Sequence, residues 1–243
     1  MKKFYFFLAI LLAVLMPAGC GKKLPEMNLD DLDWVWGDFE KATYDFSVDG
    51  EKLTEAIFTI KKDGDDYRVG QRLEIDGGVN DTGAVVGKNL EPLSAHYQNL
   101  PPATAEAPAV EIQGRYAEGK LELQAHVGEK EQNVNITLPG KVLDNESVLM
   151  TIRNFPLAEG YSKEIKIAII ASAQVAPYTI KVEDLETVRV PYGELECYKV
   201  VMTYTGPGEV PDMYAWYSND DKRILVKYQN QNVLFALKAW EGD

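Results

Sequence analysis

From residue 42 onward, apolar and polar positions alternate with a period of two, the spacing at which successive side chains point to opposite faces of a strand. Ala42, Tyr44, Phe46 and Val48 begin the series. Val110-Ile112, Leu121-Leu123-Ala125-Val127, Val134-Ile136-Leu138, Ile165-Ile167-Ile169, Tyr178-Ile180-Val182, Ile224-Val226-Tyr228 and Val233-Phe235-Leu237 continue it. Asp49-Gly50, Asp63-Gly64-Asp65, Ala117-Glu118-Gly119 and Asn219-Asp220-Asp221 fall between these runs as hairpin turns. The pattern predicts about a dozen strands, mostly joined by short turns and therefore antiparallel. Helix is expected at two places only. Asn28 caps one, with Leu29, Leu32, Val35 or Trp36, and Phe39 on one side. The other spans Asn145 to Asn154, with Val148, Leu149 and Ile152 facing inward.

Alternation with one polar face fits a sheet buried on one side, and a sheet of this many strands curls as its twist accumulates. The expected fold is mainly β: a strongly curved antiparallel sheet or open barrel with a short helix over its concave face. A two-sheet sandwich is the alternative. Pro101-Pro102-Ala103-Thr104-Ala105-Glu106-Ala107-Pro108-Ala109 reads as a long surface loop within one domain, residues 28–243.

Val190-Pro191-Tyr192-Gly193 reads as a hairpin with a three-residue loop, because proline presets φ and glycine tolerates the left-handed region. That register places Cys197 opposite Thr187. It puts Tyr198, Val200, Met202 and Tyr204 on one face and Leu195, Cys197, Lys199, Val201 and Thr203 on the other. Lys199 and Arg189 could lower the thiol's pKa. A catalytic thiol also needs a histidine, and His96 and His126 lie in separate segments. Cys197 is therefore read as a packed strand residue.

The N-terminus has the form of an export signal: Met1-Lys2-Lys3, an apolar run from Phe4 to Met16, then small residues up to Gly19. It resembles a bacterial lipoprotein leader, in which the cysteine after Leu-Ala-Gly is acylated. Ala18-Gly19-Cys20 match, and Pro17 stands where leucine is usual. The resemblance implies a signal peptide over 1–19, lipidation at Cys20 and a tether over 20–27. The location implied is the cell envelope, with the periplasmic face of the outer membrane preferred over the inner membrane or the soluble periplasm.

The chain of 243 residues carries a formal charge of −13, which becomes −15 without Lys2 and Lys3. That field opposes phosphate backbones and excludes nucleic acid as a partner. No fingerprint for a cofactor, nucleotide or catalytic zinc occurs. Asp30-Asp31-x-Asp33 and Asp63-Gly64-Asp65-Asp66 lack the spacing of a calcium loop and read as solvated acids. Aromatic residues crowd the last strands: Tyr198, Tyr204, Tyr214, Trp216, Tyr228, Phe235 and Trp240.

Residues 186–200, Glu-Thr-Val-Arg-Val-Pro-Tyr-Gly-Glu-Leu-Glu-Cys-Tyr-Lys-Val, resemble a recurring segment of the envelope proteins grouped as domain of unknown function 3108. Asn154-Phe155-Pro156-Leu157-Ala158-Glu159-Gly160 and residues 216–227 resemble two further elements of that family. The likeness implies a β-rich exported or membrane-anchored protein and brings no catalytic residues. The architecture is similar to the open barrels of lipoprotein carriers. The reading is a non-enzymatic protein holding an apolar or acyl-chain ligand in the concave face, lined by Tyr198, Val200, Met202, Tyr204, Trp216, Tyr228 and Phe235. The alternative is an interaction module for an envelope protein or polysaccharide. A hydrolase would need two carboxylates meeting in a cleft.

Overall fold

The computed structural model describes residue 29 and residues 32–243. The signal peptide, Cys20, the tether, Asn28, Asp30 and Asp31 lie outside the described residues. One fifteen-stranded sheet carries the fold. Its first eight strands form a meander: β1 (Phe39–Val48), β2 (Glu51–Asp63), β3 (Asp66–Ile75), β4 (Gly78–Val86), β5 (Pro92–Leu100), β6 (Val110–Ala117), β7 (Lys120–Val127) and β8 (Lys130–Thr137). A crossover over 138–161 follows, containing β9 (Leu143–Asp144), the helix α1 (Val148–Thr151) and a 3-10 turn, Ile152–Asn154. A second meander completes the sheet: β10 (Ser162–Ile169), β11 (Gln174–Val190), β12 (Gly193–Tyr204), β13 (Met213–Ser218), β14 (Leu225–Asn230) and β15 (Val233–Gly242).

β15 pairs with β1, so the two meanders join at the centre and leave β8 and β9 as the edges. Every pairing is antiparallel except β9 with β10. The sheet rolls without closing. β9 packs against β5, and the 3-10 turn Ile170–Ser172 packs against β5 and β6. β7 and β8 follow β6 outward to the free edge. This is the open, curved architecture expected from the alternation, and it is a single sheet rather than a sandwich. Register shifts in β1, β4, β11 and β13 supply local twist. Gly83 permits a close strand approach: a Cβ there would sit 2.5 Å from the Val69 carbonyl oxygen.

The crossover fills the inside of the roll. Val148, Leu149, Met150 and Ile152 are all buried, as are Phe155 and Leu157. The Tyr217 hydroxyl donates to the Leu149 carbonyl at 2.9 Å. Arg153 is 2% exposed and donates to Glu40 at 2.8 Å and to the carbonyls of Lys222 and Arg223. One buried ion pair thus joins the crossover to β1, with backbone acceptors satisfying the rest of the guanidinium.

The helix expected at 28–39 does not form among the described residues. The backbone over 32–37 has no regular structure, and β1 begins at Phe39. Its hydrogen bonds go to the crossover instead. The Asp33 N–H donates to the Asn154 carbonyl, the Val35 N–H to Asn154 Oδ1, and the Trp36 indole to the Met150 carbonyl. Trp34, Trp36 and Tyr67 stack with centroids 5.0–5.3 Å apart. The second expected helix shortens to α1 and the 3-10 turn, with Val148, Leu149 and Ile152 inward.

Candidate functional site

The residues expected to line a concave pocket divide between the two faces of the sheet. Cross-strand register puts Phe46, Phe235, Tyr228, Ala215 and Val200 in one row, with Met202 beside it. These side chains face the crossover and are buried. Tyr204 sits near the end of the same strand against Tyr178 at 5.5 Å, and Tyr198 pairs with Tyr217. Phe46 and Phe235 pack at 4.9 Å, and the Tyr228 hydroxyl donates to Met213 Sδ.

Trp216 does not join them. It pairs with Lys199 and Lys227 and so lies on the opposite face. There its indole N–H donates to Glu186, and Lys227 covers the ring 4.2 Å from its centroid. The cause is parity: Trp216 is an even position opposite an odd one, while Tyr198, Val200 and Met202 pair with Tyr217, Ala215 and Met213.

Among the described residues, small cavities adjoin the crossover. The crevice between the crossover and β1–β3 holds two cavities of about 10 Å³ each, the space of about one water molecule. One is lined by Glu40, Tyr44, Phe58, Met150, Arg153 and Trp240, the other by Phe58, Gln71, Asn145, Glu146, Ser147 and Met150.

Cys197 is fully buried on the Trp216 side of β12. It pairs with Glu186, one residue from the Thr187 expected, because Val190 pairs directly with Gly193 and the loop has two residues, not three. Burial and the charges of Asp220, Glu186 and Glu196 push its thiol up to about 12. It is a protonated packing residue. The histidines stand on β5 and β7, in the other half of the sheet order.

The polar centre that the sequence did not announce is Asp144 with Glu146. β9 carries Asp144 into the seam between the crossover and β4–β6. The Tyr116 hydroxyl donates to Asp144 Oδ2, and the Glu146 N–H donates to Oδ1 at 2.8 Å. Asp144 is 1% exposed. Burial first, and then the neighbouring Glu146 charge, push its carboxyl up to about 8. Burial also raises Glu146, against hydrogen bonds from Asn145 and Thr82 and the charge of His96. His96 itself sits 3.1 Å from Asp81. No lysine or arginine is among the groups acting on either carboxyl.

A buried and a half-buried acid, both with raised pKa values, are an arrangement found in active sites, and equally in structural networks. Among the described residues, the cavity that adjoins Glu146 is water-sized. The pair ties the crossover to β4 and β6, and burial favours the protonated form of Asp144. The sequence signal was weak. Leu143-Asp144-Asn145-Glu146-Ser147 resembles any acidic loop, and only the tertiary contacts with Tyr116 and Thr82 set it apart. Of the acids read as solvated, Asp63 is held by Arg68 at 2.6 Å, and Asp33 by Arg223 at 2.8 Å.

The fold and its interior define a class: a rolled, open β-barrel-like protein whose own crossover plugs the concave face. Residues 43–233 match the family described as protein of unknown function (DUF3108), and the chain belongs to that family. It is similar in fold to a β-barrel-like protein of domain of unknown function DUF1849 from Brucella abortus. That likeness has a TM-score of 0.53 at 10% identity and covers 86% of this chain and 100% of the other. A protein from Bacteroides fragilis described as exported, with a YmcC-like fold, aligns over 87% of this chain and 99% of its own at 12% identity and a TM-score of 0.32. No curated protein matches this chain.

Proposed function

We propose that this protein is a non-enzymatic interaction module of the bacterial cell envelope. In this reading acyl chains on Cys20 hold it to the periplasmic face of the outer membrane, and it binds an extended segment of an envelope protein. The observation that carries the reading is the contrast between a filled interior and a free edge. The concave face is occupied by α1 and its flanking residues, whereas β8 is exposed along seven of its eight residues and, among the described residues, pairs only with β7. An unpaired strand edge recruits an added strand through its main-chain groups. A polysaccharide partner is less well supported, because the ring of Trp216 is covered and its N–H engaged.

An apolar or acyl-chain ligand is the second reading, and the two cavities flanking Met150 favour it. They mark the contact between the crossover and β1–β3 as the place where such a ligand would enter, and the crossover would have to lift for it to do so. Photo-crosslinking in intact cells from a benzophenone amino acid at residue 134 tests the first reading. A discrete adduct with an envelope protein is expected. If no adduct forms, and lipid is recovered from the native protein by mass spectrometry, the ligand reading replaces it. Metabolic labelling with an alkyne fatty acid tests the anchor: label should be present in the wild type and absent in Cys20→Ala.

A further inference from the structure

β8 differs from the other edge. β9 is two residues long and is held by β10 and the crossover. β8 runs eight residues with no proline, and neither its ladder with β7 nor that of β7 with β6 shifts register. The devices that usually blunt an edge are a bulge, a proline and central charge, and the stretch from Gln132 to Thr137 has none of them. Its two faces differ. Val134 and Ile136 pair with Leu123 and Leu121, both core residues, so the core face continues out to the edge. Val134 is 37% exposed there and Val127 40%. The opposite face carries Glu131, Asn133, Asn135 and Thr137.

We infer that β8 pairs antiparallel with β8 of a second copy of this chain, about a two-fold axis through Val134. The inference rests on the free-edge reading above and names the partner. A two-fold strand pair sets a residue opposite itself and its neighbours opposite one another in reverse. Centred on Val134, Asn133 meets Asn135 of the second copy, Gln132 meets Ile136, Glu131 meets Thr137 and Lys130 meets Leu138. No charge faces a like charge, and seven of the eight residues meet a residue of the partner strand, with Lys130 reaching Leu138 just past its end. A register centred on Glu131 would oppose two carboxylates, and one centred on Asn135 would leave Lys130, Glu131 and Gln132 all beyond the partner strand's end. The central register also joins Leu121, Leu123, Ile136 and Val134 of both copies into one apolar stripe. The strongly negative chain opposes association at long range, so the dimer should tighten as salt rises.

The test uses the full chain in cells. Directly opposed residues have Cα atoms roughly 4.5–5.5 Å apart, within disulfide reach. Val134→Cys should therefore give a disulfide-linked dimer on a non-reducing blot, at least several-fold more than Glu131→Cys, whose copies would stand roughly 20 Å apart. Equal dimer from both variants, or none from Val134→Cys, overturns the inference. Val134→Glu, a solvent-accessible change that sets two carboxylates on the axis, should abolish concentration-dependent dimerisation of the purified protein in size-exclusion chromatography with light scattering. An unchanged dimer overturns the inference. The photo-crosslink at residue 134 separates the two levels. An adduct of twice the chain mass supports the second copy. An adduct with a different protein overturns the second copy and leaves the free-edge reading standing. No adduct removes both.

Discussion

Asp144 makes the fold's stability depend on pH in a direction opposite to that of most carboxylates. Its ordinary pKa is 3.8 and burial raises it to about 8. Between those values the folded protein holds a proton that the unfolded chain has released. The stabilisation is therefore complete below about pH 4 and is lost as pH rises toward 8. One linked proton is worth about 1.4 kcal/mol per pH unit, so raising pH from 5 to 7 should cost about 3 kcal/mol, a large part of a typical domain's stability. Glu146 is raised as well and acts with the same sign. Glu55 and Glu131 are lowered, by Lys238 and Gln124, and titrate below this window. Asp144→Asn keeps the size of the side chain and an acceptor for the Tyr116 hydroxyl but removes the proton linkage. Urea unfolding followed by tryptophan fluorescence at pH 5, 6 and 7 is the assay. Wild type should lose stability steeply, and Asp144→Asn should lose about one proton's worth less per unit. Parallel slopes for the two proteins would refute the reasoning, because they would mean that Asp144 is ionised in the fold throughout.

Three further outcomes follow from the packing. Arg153→Ala leaves Glu40 buried without its partner and should cost about 3–5 kcal/mol in chemical denaturation, whereas the double change Glu40→Met with Arg153→Met should cost much less; equal losses would show that the pair is not what holds the crossover to β1. Cys197 should resist iodoacetamide at pH 8 in the native protein and react at once in urea, since a thiol at about 12 is almost wholly protonated; fast native labelling, read by mass spectrometry, would contradict its burial. Gly83→Ala forces backbone to move from 2.5 Å and should destabilise by roughly 1–3 kcal/mol, visible as a lower melting temperature, while Gly119→Ala meets no atom and is limited to the cost of its positive φ.

The sequence by itself determined the strands whose side chains alternate cleanly, such as β1, β7, β10 and β15, and the turns with glycine or aspartate at positive φ between them, Asp49-Gly50 and Glu118-Gly119 among them. Period and turn chemistry are local properties, and local properties survive into the fold. β3 and β4 were less legible. Gly70, Gly78 and Gly83 interrupt their alternation, and the value of those glycines lies in close approach to a neighbouring strand that the sequence does not name. Among the described residues, the helix expected at 28–39 does not form, for a related reason. Its apolar spacing is real, but Trp36, Val35 and Asp33 find their hydrogen-bond partners on Met150 and Asn154, more than a hundred residues away. The Cys197 register slipped by one because a three-residue and a two-residue loop are both compatible with Pro-Tyr-Gly, and only the pairing of Val190 with Gly193 decides between them.

What tertiary structure alone decided is what occupies the concave face. Residues 145–154 read as one short amphipathic helix among many strands, and nothing in that reading says that they enter the roll and fill it. The same contacts bring Asp144 beside Tyr116 and Glu146 beside Thr82, turning an ordinary acidic loop into a buried, proton-holding seam. Burial is a property of the whole packed chain. Alternation along a strand specifies which residues share a face, but only the rolled sheet specifies which face is inside and what covers it.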